Sequence, residues 1–90
     1  MKSIVWSDRA LTRRDEIFDY IAEDNPEAAI DLDTSFEVAV ERLRDFPLSG
    51  RTGKVEGTRE LIVTSNYIVI YQISDKTIDI ITIRHAATNE

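Results

Sequence analysis

Ninety residues, 42% apolar and 31% charged, suit one domain (residues 1–90) near the lower limit at which a chain buries its own core. The lack of cysteine excludes a disulfide framework and thiolate metal sites, and no apolar run approaches the ~18–20 residues that span a bilayer. A net charge of −6 argues against a generic nucleic-acid binder, because phosphate contacts need clustered Lys and Arg. The charge is uneven: residues 1–50 carry the whole −6, and residues 51–90 balance five Lys/Arg against five Asp/Glu. The apolar stretch at the start is too short for a secretory signal, so the expected location is the cytoplasm. No metal or other cofactor is expected.

Lys2 to Trp6 is β-branched and aromatic and reads as a first strand. Ser7 and Asp8 follow as helix-capping residues, and Ala10, Leu11, Ile17, Phe18, Ile21 and Ala22 then recur at three- and four-residue spacing. Asn25-Pro26 punctuates the chain, with Asn as a cap and Pro at a first helical position that needs no amide donor. Ala29, Leu32, Phe36, Ala39, Val40 and Leu43 mark one face of a second helix, ending near Phe46 because Pro47 cannot continue it. Two amphipathic helices with so short a link form an antiparallel hairpin.

Leu48 to Gly57 holds all three glycines and reads as a loop, or a loop with an irregular edge strand, that carries Arg51 and Lys54. Gly57 to His85 then reads as three strands with turns at Ser65-Asn66 and Asp75-Lys76. Alternation sets Arg59, Leu61 and Val63 on one face, and Tyr67, Val69, Tyr71 and Ile73 on one face of the next strand. In the last strand strict alternation sets Ile78, Ile80, Thr82 and Arg84 against Asp79, Ile81, Ile83 and His85. Both sheet faces are then largely apolar, one to pack on the helices and the other to form a shallow groove or be covered by a partner.

No metal-ligand spacing, nucleophile elbow or nucleotide fingerprint occurs. What remains is a polar set of Arg59, Tyr71, Arg84 and His85, with Arg51 and Lys54 near it. Guanidinium groups can hold phosphate, and His or Tyr can move a proton, which is most of what a metal-free ribonuclease requires. The same residues also have ordinary roles: Arg59 paired with Glu60 or a helix carboxylate, Arg84 capping the sheet's edge, tyrosines packed in the sheet, a structural or solvated histidine.

The ordered set of strand, helical hairpin, FPLSGRTG and GTRELIV…YIVIYQI…IDIITIRHA resembles the RelE/ParE superfamily of type II toxin–antitoxin toxins. It extends from Val5-Trp6 through AEDNPEAA to His85-Ala86, nearly the whole chain. The resemblance implies an α+β fold of order β-α-α-β-β-β, a small antiparallel sheet with the helical hairpin packed on one face. It also implies a cognate antitoxin whose C-terminal segment wraps the toxin in a hetero-oligomer. RelE-like members cleave mRNA on the ribosome, whereas ParE-like members inhibit DNA gyrase. Nuclease members tend to be basic and often carry Arg directly before the VIY of their third strand; here that residue is Ile68, and the chain is acidic. Many members end His-Gly-Ala-Arg and an aromatic residue, where this chain has His85 to Glu90 without that Arg.

The expectation is therefore a ParE-like toxin of the plasmid-stabilisation class that acts by protein–protein contact, with gyrase as candidate target. On that reading Arg51, Lys54, Arg59, Tyr67 and Tyr71 meet the partner. The alternative is a RelE-like endoribonuclease acting on ribosome-bound mRNA, with Arg59, Arg84, His85 and Tyr71 catalytic. A degenerate, non-toxic binding module of the same family is the third.

Overall fold

The computed structural model describes residues 2–87. Thr88 to Glu90, which include the position of the missing Arg, lie outside the described residues. The order is β1 (Ser3–Trp6), α1 (Asp8–Ala22), α2 (Pro26–Glu41), a 3-10 turn (Arg42–Arg44), β2 (Arg51–Thr52), β3 (Thr58–Ile62), β4 (Tyr67–Ile73) and β5 (Thr77–His85).

Both helices begin where the capping residues place them. The Ser7 hydroxyl accepts from the Ala10 amide at 3.0 Å, and the Asn25 side chain accepts from the Ala28 amide at 3.1 Å, each satisfying one orphan donor. Helical geometry stops at Arg44 rather than Phe46, the last turn tightening to 3-10 before Pro47, so Phe46 stays 66% exposed. Arg14 clasps the hairpin: its guanidinium reaches Asp33 at 2.7 Å and Glu37 at 2.7 Å on α2, and stacks 4.8 Å from the Trp6 ring centroid. The Asp33 hydrogen bond, outweighing burial, raises the Arg14 pKa, with Glu37 adding to it. Arg14→Ala is expected to cost about 1–2 kcal/mol in urea unfolding, from one partly buried ion-pair network and one cation–π contact. A loss below a few tenths would mean that the hairpin does not depend on the clasp.

The sheet runs β1-β5-β4-β3-β2. The three strands β3, β4 and β5 form an antiparallel meander, as expected. The two-residue β2, from the segment read as a loop or a loop with an irregular edge strand, adds antiparallel to β3. Strand β1 joins the far edge parallel to β5 through Ile4↔Ile78 and Trp6↔Ile80. The α+β architecture with a hairpin on one face stands. Ala10 and Ile17 of α1 and Phe36 and Val40 of α2 pack with Leu43 against Val69, Tyr71, Ile78, Ile80 and Ile83.

One expectation about the faces is corrected. The β4–β5 ladder pairs Ile70 with Thr82 but Tyr71 with Ile80, which leaves Ile81 as an extra residue, a β-bulge. The bulge shifts the alternation of β5 by one position. Ile78, Ile80 and Ile83 therefore all face the helices, and Asp79, Thr82 and Arg84 all face away. The Ser7 hydroxyl donates to the Ile81 carbonyl at 2.8 Å, tying the start of α1 to the bulge. The second face is consequently not a broad apolar surface; ion pairs occupy its middle. Among the described residues, no helix is long and apolar enough to cross a membrane.

Candidate functional site

Tyr71 and Arg59 are cross-strand neighbours on the helix side of the sheet. Tyr71 is fully buried; its hydroxyl donates to the Pro47 carbonyl at 2.7 Å and accepts from the Gly50 amide at 3.0 Å. Arg59 Nη1 donates to the Gly50 carbonyl at 2.6 Å. Burial pushes the Tyr71 pKa up, against smaller opposing effects from the Gly50 amide and the Arg59 charge. The phenol is thus neutral at physiological pH and already both donates and accepts. These two residues anchor the segment between the 3-10 turn and β2.

Arg84 lies on the other face. Its guanidinium meets Glu60 Oε2 at 3.1 Å, while Arg51 reaches Glu60 Oε1 at 2.8 and 2.9 Å from Nη2 and Nε. Glu60 and Arg84 are both nearly buried, whereas the Arg51 side chain is 57% exposed. Burial alone would raise the Glu60 pKa. The Arg51 hydrogen bond and the charges of Arg84 and Arg51 outweigh it and hold the carboxyl below the usual glutamate range. Arg51, Lys54 and Arg84 surround a hollow of about 400 Å³ with Ile62, Ile68, Thr64 and Ser65. Ile68, the residue directly before Val69-Ile70-Tyr71, lies in that lining.

His85 points back to the helix side at the far end of the strands. Its ring meets Tyr67 edge-on at 5.2 Å between centroids, and Tyr67 meets Phe36 edge-on at 5.9 Å. His85 Nδ1 accepts from the Ala87 amide at 3.1 Å. Arg13, Glu16 and Tyr20 of α1 border the small hollow beside this pair. The row holding Tyr67 and His85 is four residues along β4 from the row holding Arg59 and Tyr71, roughly 13 Å of strand.

The four residues of the expected proton-transfer set therefore do not converge. Arg84 is on one face, and Arg59 with Tyr71 and His85 with Tyr67 occupy opposite ends of the other. Glu60 does not pair with Arg59, because adjacent strand residues face opposite ways; it gathers Arg51 and Arg84 instead. Sequence reasoning missed that role, and the register of two ladders is needed to see it. It also missed an open groove of about 690 Å³ between α2 and β3, bordered by Val38, Ala39, Phe46, Leu61, Ile62 and Val63. The available signal was Phe46, a large apolar residue left outside the helical stripe. Among the described residues, no cluster of three or more His, Asp or Glu side chains could hold a metal ion.

Residues 4–90 match the sequence profile of the family described as the ParE toxin of type II toxin-antitoxin system, parDE. The chain is 43% identical over 86 residues to Y4kP of Sinorhizobium fredii, covering 94% of this chain and 88% of that protein. It is 36% identical over 87 residues to Toxin RelE2 of Caulobacter vibrioides, covering 97% and 98%. In structure it is similar to a chain of the chromosomal ParDE TA system from P. aeruginosa, with a TM-score of 0.85 at 25% identity over 94% of this chain and 96% of that one. A chain of the E. coli DinJ-YafQ complex shares the fold, with a TM-score of 0.63 at 15% identity over 97% and 96%.

Proposed function

The chain belongs to the ParE toxin family of type II toxin–antitoxin systems, and from that premise we propose that it acts by protein–protein contact, with DNA gyrase as its target. The observation that carries contact over cleavage is the separation of Arg59, Tyr71, Arg84 and His85 across two faces and two ends of the sheet. General acid–base transfer needs its groups within hydrogen-bond reach of one reacting centre. The −6 charge and Ile68 in the cationic hollow point the same way.

A cognate antitoxin neutralises the toxin, and the groove between α2 and β3 is its docking surface on this reading. The groove is lined mainly by apolar side chains, with Ile62 56% and Phe46 66% exposed on it, and Arg42, Thr34, Ser35 and Ser49 as its polar members. Because β2 pairs only with Arg59 and Glu60, no strand among the described residues lies beside Leu61 and Ile62 on the flank away from β4. A partner segment can lie against that flank with its apolar residues in the groove.

Induced expression in a bacterial host, without and with the small reading frame adjacent to this gene, tests the toxin reading. Purified protein added to gyrase supercoiling and ribosome-bound mRNA assays tests the target. Growth arrest relieved by the neighbour, lost supercoiling and intact mRNA are expected, with His85→Ala as potent as wild type. Cleaved mRNA that is spared by His85→Ala would establish the ribonuclease reading instead, and unimpaired growth would leave the non-toxic binding module.

A further inference from the structure

The groove and the cationic hollow are parts of one surface. Ile62 lines both, with Val38 and Phe46 on its helix side and Arg51, Lys54 and Arg84 on its other side. Three cations border the hollow, and among the described residues none of the side chains lining it is a carboxylate. Glu60 lies at its edge rather than in its lining, both oxygens already engaged, and it fixes the Arg51 guanidinium from below. Arg51 and Lys54 remain substantially exposed. On a chain of net charge −6 this is a local reversal of sign, set directly beside an apolar trough.

Resting on the antitoxin reading, we infer that the hollow receives an acidic side chain of the antitoxin segment whose apolar residues fill the groove. Arg51 and Lys54 are the contacts, and Glu60 is the positioning residue that holds Arg51 forward. The occupant is a peptide carboxylate rather than a nucleic-acid phosphate for two reasons. The neighbouring trough is lined mainly by apolar side chains, which suit the aliphatic side chains of a peptide better than a sugar–phosphate backbone, with Arg42, Thr34, Ser35 and Ser49 as its polar members. The acidic first half of the chain repels a polyanion over distances at which a single carboxylate is barely affected.

The test uses the whole protein, isotopically labelled for NMR, with three probes. One is a synthetic peptide that alternates leucine with serine and ends in a run of glutamates; the second ends in glutamines; the third is oligoadenylate. The glutamate-ended peptide is expected to shift the signals of Val38 and Ile62 together with those of Arg51 and Lys54. The glutamine-ended peptide should bind about fivefold more weakly at low salt, the scale of two exposed charge contacts. It should still shift Val38 while leaving Lys54 unmoved. Lys54→Gln and Arg51→Gln, both at exposed positions, should each reduce the difference between the two peptides, and added salt should erase it. Equal binding of the two peptides with Val38 shifted overturns the acidic contact and leaves the groove reading in place. Stronger shifts of Arg51 and Lys54 with oligoadenylate overturn it in favour of phosphate. No shift in the groove with either peptide removes the docking surface and the inference with it.

Discussion

Gly50→Ala is expected to lower stability by about 3 kcal/mol, a large effect for one added methyl group. A Cβ on Gly50 would lie 2.6 Å from the Tyr71 hydroxyl oxygen, 2.7 Å from Tyr71 Cε1 and 2.9 Å from the Glu60 carbonyl oxygen. None of these atoms can give way cheaply. Tyr71 is fully buried and its hydroxyl is held between the Pro47 carbonyl and the Gly50 amide, while Glu60 belongs to the β3 ladder. Overpacking typically costs about 1–3 kcal/mol, and the displaced hydroxyl leaves a buried donor and acceptor unsatisfied at a further cost of that order. Urea unfolding of Gly50→Ala, Tyr71→Phe and the double variant measures it. Tyr71→Phe removes the nearest of the clashing atoms, so the two losses should not add. An alanine variant within about 0.5 kcal/mol of wild type, the range of ordinary surface substitutions, would show that the segment before β2 can leave the sheet.

The same residues show which parts of this protein are legible in its sequence. Ser7 and Asn25-Pro26 announce both helix starts because capping is local chemistry, settled within four residues. The β3-β4-β5 meander is legible for a similar reason: short β-branched runs between turn residues pair with their neighbours. The parallel addition of β1 is not, since nothing within Ser3–Trp6 specifies a partner more than seventy residues away. The bulge left a trace that strict alternation overlooks. Asp79, Thr82 and Arg84 share the open face with spacings of three and then two, a change of phase that only an inserted residue allows. With the phase corrected, the second apolar face disappears and an ion-pair centre takes its place.

That correction also reorders the candidate site. Arg84 and His85 are adjacent, so a flat strand must send them to opposite faces, and this much alternation reveals. Whether Arg59 lies level with either one depends on the register of β3 on β4 and of β4 on β5, which is set by turn lengths and the bulge together. Residue types alone suggest a proton-transfer set; registers divide it. The cations that do meet are Arg51 and Arg84, from strands at positions two and five of the chain order, brought together by a carboxylate on β3, one of the two strands between them. The hollow they border is cationic, and no histidine is among the described residues that line it.

Glu60→Ala is therefore expected to destabilise the protein by about 2–3 kcal/mol. Removing one member of a buried pair leaves the other charge desolvated, at about 3–5 kcal/mol when both are wholly enclosed. Arg84 is nearly buried, but Arg51 is more than half exposed and recovers its hydration, which puts this pair at the lower end. Glu60→Leu with Arg84→Met should recover most of the loss, because well-packed apolar residues of similar volume often replace a buried ion pair without penalty. If the double substitution is instead as unstable as Glu60→Ala, the loss comes from packing and not from a stranded charge. The pH dependence supplies an independent check. Since the Glu60 carboxyl is held below its unfolded-state pKa, the folded state binds fewer protons, and its contribution is complete above the ordinary glutamate range. It is lost as pH falls from that range through the lowered folded-state value. Wild type should thus lose stability relative to Glu60→Gln on acidification across that window, and the two should run parallel above it. Parallel curves throughout would mean that Glu60 titrates alike in the folded and unfolded chains, and that the two arginines are held in place by something other than its charge.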